Sequence, residues 1–152
     1  HNHINLELSD QLIEICHGLW EGKLEKEIEQ EWTELLQQWK VSPEKAQMPE
    51  GENLSDVWDR AISCWEDLVA QYIDSERLIT GLVVAHDAIN KVIVCHILGL
   101  SPANIWQIKQ GNGAVTVIDY QQSEYGIPIL QALNITNHFG TGILDQTARG
   151  AL

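Results

Sequence analysis

Residues 78–85, Leu-Ile-Thr-Gly-Leu-Val-Val-Ala, form a short, almost wholly apolar run that stops abruptly at His86-Asp87. Over residues 79–85 such a run suits a strand buried on both faces of a parallel sheet. Helical spacing follows from Ala88 to Leu98 and ends at Gly99, a good helix stop. The pair therefore reads as a strand feeding a helix. In open α/β sheets, ligands bind at the carboxyl ends of the strands. A helix N-terminus adds backbone N–H groups carrying partial positive charge. A phosphate at this junction meets both of these and the His86 side chain, with Asp87 beside it. The competing reading is that His86 merely caps the helix.

The rest of the chain supplies elements to pack around that unit. Residues 23–39 place Leu24, Ile28, Leu35, Leu36 and Trp39 at helical spacing. Residues 41–52 hold Pro43, Pro49 and Gly51 and read as a loop. A second helix is expected from Asn53 or Ser55, with Val57, Trp58, Ala61, Ile62, Trp65, Leu68, Val69 and Tyr72 along one stripe. Ser101-Pro102 opens a short helical segment through Trp106. Strands are predicted at 114–120 and 128–134 around a polar turn at 121–126, and 136–152 reads as a coil tail.

The order α, α, β, α, β, β predicts one three-layer α/β/α domain over residues 1–152. It is incomplete at its N-terminus, because the run at 79–85 needs parallel neighbours and no strand precedes the first helix. The opening His1-Asn2-His3, without Met, reads the same way, as a chain cut from something longer, and a processed N-terminus or a cloning boundary would look the same.

Composition narrows the partners. A net charge of −13 argues against nucleic acid or an anionic membrane, both of which need clustered Lys and Arg. No stretch approaches the roughly 18 apolar residues of a membrane span. Cys16, Cys64 and Cys95 are odd in number and far apart, which suits reduced, mostly buried thiols in a cytoplasmic protein. Glu21, Glu25, Glu27, Glu29, Glu31 and Glu34 are interleaved with Leu and Ile as on a solvated helix face. Six Trp against one Phe point to large aromatic anchors between elements.

Two further segments carry candidate chemistry. In residues 12–22, Glu14 sits between Ile13 and Ile15, ahead of Gly18 and Trp20-Glu21-Gly22. A carboxyl among apolar neighbours can act as a general acid near neutral pH, and an ordinary turn with an exposed Glu fits equally well. In residues 49–60, Glu52 reads as a cap for the next helix and Arg60 as part of a surface ion pair. His1 and His3 read as a disordered terminus in preference to a metal pair, and Cys95-His96 lies too far along its helix to share a metal with His86. Gly111-Asn112-Gly113 enters a strand, so it reads as a tight turn and not a phosphate loop.

These segments, in this order, resemble the histidine phosphatase superfamily, which includes the phosphoglycerate mutases. The family's Glu, then Gly four residues later, then Trp-Glu-Gly is matched by Glu14, Gly18 and Trp20-Glu21-Gly22. Its Pro-x-Gly-Glu-Ser and later Arg look like Pro49, Gly51, Glu52, Asn53 and Arg60, and its Ser/Ala-His-Gly looks like Ala85-His86-Asp87.

The resemblance implies a phosphoglycerate-mutase-like fold and a phosphoric monoester hydrolase acting on a small phosphorylated metabolite. The reaction runs through a phosphohistidine, without metal or cofactor. His86 is the histidine that holds the transferring phosphoryl group, and Glu14 is the acid that protonates the leaving oxygen. The nucleophile belongs to an Arg-His-Gly strand that this sequence lacks, so that N-terminal segment is an implied partner and the chain alone is expected to be inactive. An unpaired strand beside it also makes a homo-oligomer possible. Asp87 stands where the family has glycine and adds negative charge at the phosphate site, and Lys91 stands where many members have arginine. Asp87 and the absent nucleophile favour a second reading, a catalytically degenerate phosphate-binding or regulatory module.

Overall fold

A computed structural model describes residues 6–120 and 127–140. His1, His3 and the predicted turn at 121–126 lie outside the described residues, as does most of the tail.

Three helices carry the core. Helix α1 spans Glu25–Val41 and bends at Trp32, whose φ and ψ are −136° and 47°. It buries Ile28, Leu36 and Trp39, while the acidic residues of 21–34 face solvent as their spacing predicts. Helix α2 spans Leu54–Ala70 and starts with a reciprocal cap, in which Asn53 Oδ1 accepts from Asp56 N and Asp56 Oδ2 accepts from Asn53 N. Glu52 is therefore not the cap. Helix α3 spans Asp87–Ile97 and buries Ala88, Ile89, Lys91, Val92, Ile93, Val94 and Cys95. A helix apolar nearly all round belongs inside a fold, and α3 is packed by α2 and by the 3-10 turn Pro102–Gln107. Each fully buried Ile or Leu here, such as Ile28, Leu54 and Ile89, contributes roughly 1.5–3 kcal/mol of transfer free energy.

Tryptophans tie the helices together. Trp39 and Trp106 meet edge-to-face at 5.2 Å, and Trp106 Nε1 donates to the Trp39 carbonyl at 2.8 Å. Strands β1 (Val115–Asp119) and β2 (Ile129–Ile135) pair antiparallel, from Val115 opposite Ile135 to Asp119 opposite Ile129. The turn at Gly111–Gly113 closes with Ala114 N donating to the Gly111 carbonyl, as expected. The segment expected as coil from Thr136 instead begins with a 3-10 turn, Asn137–Phe139, and Thr136 is buried.

The main difference from the sequence reading is at 78–85. The run takes no regular secondary structure and pairs with no strand among the described residues. Leu78, Leu82 and Val84 are 86%, 85% and 83% exposed. A strand exists only through its neighbours' hydrogen bonds, and among the described residues the one sheet consists of β1 and β2 alone. No helix among the described residues is long and apolar enough to cross a membrane.

Candidate active site

The site is built from two interlaced loops, the first of which reaches the start of α3. Those loops, around residues 14–22 and 47–53, are laced backbone to backbone. Leu19 N donates to the Pro49 carbonyl, and Glu52 N to the Cys16 carbonyl, both at 2.9 Å. This approach leaves no room for side chains. A Cβ on Gly18 (φ +57°) would lie 2.1 Å from the Pro49 carbonyl oxygen, and one on Gly51 would lie 2.4 Å from that of Cys16. The two glycines of the motifs are thus explained by close packing.

Glu14 leaves this laced region and reaches α3. Its Oε2 accepts from Ala88 N in a long contact of 3.4 Å, and its Oε1 accepts from Ile15 N at 3.0 Å. The carboxylate thereby faces the positive end of the α3 dipole, two residues from His86. His86 is the residue before the helix, with φ −108° and ψ 177°; its carbonyl accepts from Asn90 N, but its imidazole makes no capping bond and is exposed. The capping alternative for the His86 ring does not hold.

Asp87 is the first residue of α3 and is turned away from solvent. Its Oδ2 lies 2.7 Å from Lys91 Nζ, and the Lys91 ammonium also sits 4.9 Å over the Trp106 ring. Asp87 Oδ1 is buried with no partner among the described residues. The extra negative charge beside His86 is matched by a buried positive one.

His17 stacks on buried Trp20 at 6.4 Å and meets the edge of Trp39 at 5.8 Å. Burial lowers its pKa below the usual histidine value, although the charges of Glu14 and Glu21 pull it upward. Burial likewise pushes the Cys95 thiol up to about 11, against the pull of Lys91. Cys16, by contrast with the expectation of mostly buried thiols, is exposed. A separate apolar cavity of about 400 Å³ is lined by Glu66, Ile73, His96 and Tyr120 among others. His96 is nine residues beyond Asp87 on α3, about 13 Å along the axis, so this cavity is at the far end from His86.

The sequence profile of the histidine phosphatase superfamily (branch 1) matches residues 1–134. The chain belongs to that superfamily. Among its curated relatives, phosphoserine phosphatase 1 of Hydrogenobacter thermophilus is 29% identical over 138 residues, covering 90% of this chain and 62% of its own length. Among solved structures, Bacillus stearothermophilus YhfR has a TM-score of 0.74 at 23% identity, covering 86% of this chain and 61% of its own. The α-ribazole phosphatase from Shigella flexneri has a TM-score of 0.70 at 21% identity, covering 86% of this chain and 61% of its own. The fold is thus α/β of the phosphoglycerate-mutase-like type, and the chain spans about three fifths of the length of these relatives.

Of the residues that the superfamily resemblance singled out, the structure gathers Glu14, His86 and Asp87 at one end of α3. Sequence reasoning missed His17, which lies in the same motif as Glu14 but outside its matched positions. It also read Glu52 as a cap and Arg60 as part of a surface ion pair, whereas the two side chains bind each other, are largely shielded and hold the Glu14 loop.

Proposed function

We propose that residues 1–152 form the C-terminal part of one histidine-phosphatase domain whose complete form hydrolyses phosphate monoesters of small metabolites through a phosphohistidine. The observation that carries this reading is the contact of Glu14 with the first turn of α3, which spans 74 residues of sequence. It brings a carboxyl group to the start of the helix that His86 immediately precedes.

In this reading the His86 ring and the leading amides of α3 hold the phosphoryl group as its charge shifts. A histidine nucleophile on an Arg-His-Gly strand attacks phosphorus and forms the P–N bond. The ester oxygen leaves and takes a proton from Glu14. Water then attacks the phosphorus, its proton passing to Glu14, as the P–N bond breaks and its electron pair returns to the nucleophilic histidine, and inorganic phosphate leaves.

The partner that supplies the nucleophile is the N-terminal segment of the same domain. The run at 78–85 supports it, because its backbone is unpaired among the described residues and its exposed Leu78, Leu82 and Val84 are apolar surface that a neighbouring strand would cover. Without that segment the run is free to pair with a second copy. The Asp87–Lys91 pair answers the charge objection that favoured a degenerate phosphate-binding module, since the two charges cancel. A net charge of −13 keeps nucleic acids and anionic membranes out of this reading.

The test is hydrolysis of p-nitrophenyl phosphate by the 152-residue chain, alone and after addition of a segment carrying the Arg-His-Gly strand. The expected result is no turnover alone, turnover together, and its loss with His86→Ala. Turnover by the chain alone would place the nucleophile elsewhere. Phosphate binding without turnover in the complete protein would establish the degenerate module instead.

A further inference from the structure

Arg60 uses every donor it has. A guanidinium carries five N–H groups, and each finds an acceptor. Nε and Nη2 donate to Glu52 Oε1 and Oε2 at 2.8 and 2.9 Å. Nη1 donates to the carbonyls of Gln11 and Ile13, both at 2.8 Å, and Nη2 also donates to the Glu14 carbonyl at 3.3 Å. Glu52 is itself pinned, since its Oε2 accepts from Cys16 N at 2.9 Å. The Arg60 and Glu52 side chains are only 17% and 24% exposed.

The consequence concerns Glu14. Among the described residues its carboxylate has two restraints: the bond to its own neighbour Ile15, and the long contact with Ala88. Neither fixes the backbone from which the side chain springs. Arg60 does, by gripping the carbonyls of residues 11, 13 and 14 from a helix anchored in the core through Leu54, Val57 and Ala61.

We propose that Arg60 is a positioning residue for proton transfer, holding the Glu14 loop in register with the start of α3, with Glu52 as its anchor. The proposal rests on the reading of Glu14 as the acid. A lysine cannot replace the grip, because a point charge with three donors cannot bridge a carboxylate and three carbonyls in one plane.

The experiment compares two esters in the full-length protein. p-Nitrophenolate leaves without protonation, whereas the alkoxide of an alkyl phosphate such as phosphoserine needs a proton from the acid. Glu14→Gln is expected to lose alkyl ester turnover by about 10²–10⁴ while keeping most nitrophenyl ester turnover. Arg60→Lys is expected to show the same selectivity, with kcat on the alkyl ester down roughly 10²-fold and KM nearly unchanged. Glu52→Gln keeps Arg60 in place with a weakened anchor, and is expected to show a smaller loss of the same kind if Arg60→Lys fails to fold. Equal loss on both esters, or none, in the Arg60 and Glu52 variants beside a selective Glu14→Gln would overturn the role of Arg60 alone. An unselective Glu14→Gln would overturn the acid itself, and the role of Arg60 with it.

Discussion

Lys91 Nζ lies 2.7 Å from Asp87 Oδ2, one turn away on α3, and the two side chains are 4% and 14% exposed. A buried pair of this kind is costly to break on one side, because the remaining charge stays desolvated. Lys91→Ala is therefore expected to destabilise the protein by about 3–5 kcal/mol. The double variant Asp87→Asn with Lys91→Met removes both charges and should recover most of that loss. Urea unfolding of the two variants measures the difference, and equal losses would show that the pair is not coupled.

His86 contributes to the helix start through its backbone, while its exposed ring makes no cap. His86→Ala in the full-length protein should leave the unfolding free energy within about 0.5 kcal/mol of the parent, as surface substitutions do. Phosphatase turnover should fall by several orders of magnitude, about the loss expected when a member of a catalytic unit is removed. Thermal melts beside initial rates separate the two effects.

Gly51→Ala places a methyl group where the Cys16 carbonyl oxygen is 2.4 Å away. The laced loops would have to part, at about 1–3 kcal/mol, and the displacement would be felt at Glu14 as lost turnover. For stability, Gly81→Ala in the 152-residue chain is the control, since nothing among the described residues lies within 4 Å of its added carbon. Comparable destabilisation by both would mean that close packing is not the reason for Gly51.

Burial lowers the pKa of His17 in the folded protein below its unfolded value of 6.5. Between those two values the unfolded chain binds the more protons, so stability rises with pH across that window. Acidification from pH 7 should therefore begin to weaken the fold near 6.5, with the loss complete below the folded pKa. His17→Phe should flatten this part of the pH–stability curve, measured by chemical unfolding at a series of pH values. An unchanged slope would mean that the His17 ring is hydrated in the folded state.

The parts of this protein that were legible in its sequence are those set by short-range periodicity. Spacing located α2 and α3 to within a residue or two, and α1 nearly as closely, because a helix buries one stripe every 3.6 residues wherever it packs. The two paired strands, the glycine turn and the solvated acidic face follow from the same local rules. Glu14 and His86 stood out through motif and position at the ends of elements.

Tertiary structure decided what depends on partners distant in sequence. The apolar composition of residues 78–85 promised a strand, but a strand needs a neighbour, and among the described residues that run has none. Asp87 looked like a charge opposed to phosphate until its burial against Lys91 and Trp106 set its effect. Arg60 looked like half of a surface pair, and only folding brings it to carbonyls 46–49 positions earlier. Periodicity is a property of the chain itself, whereas burial and hydrogen-bond partners are properties of what the folded chain places alongside it.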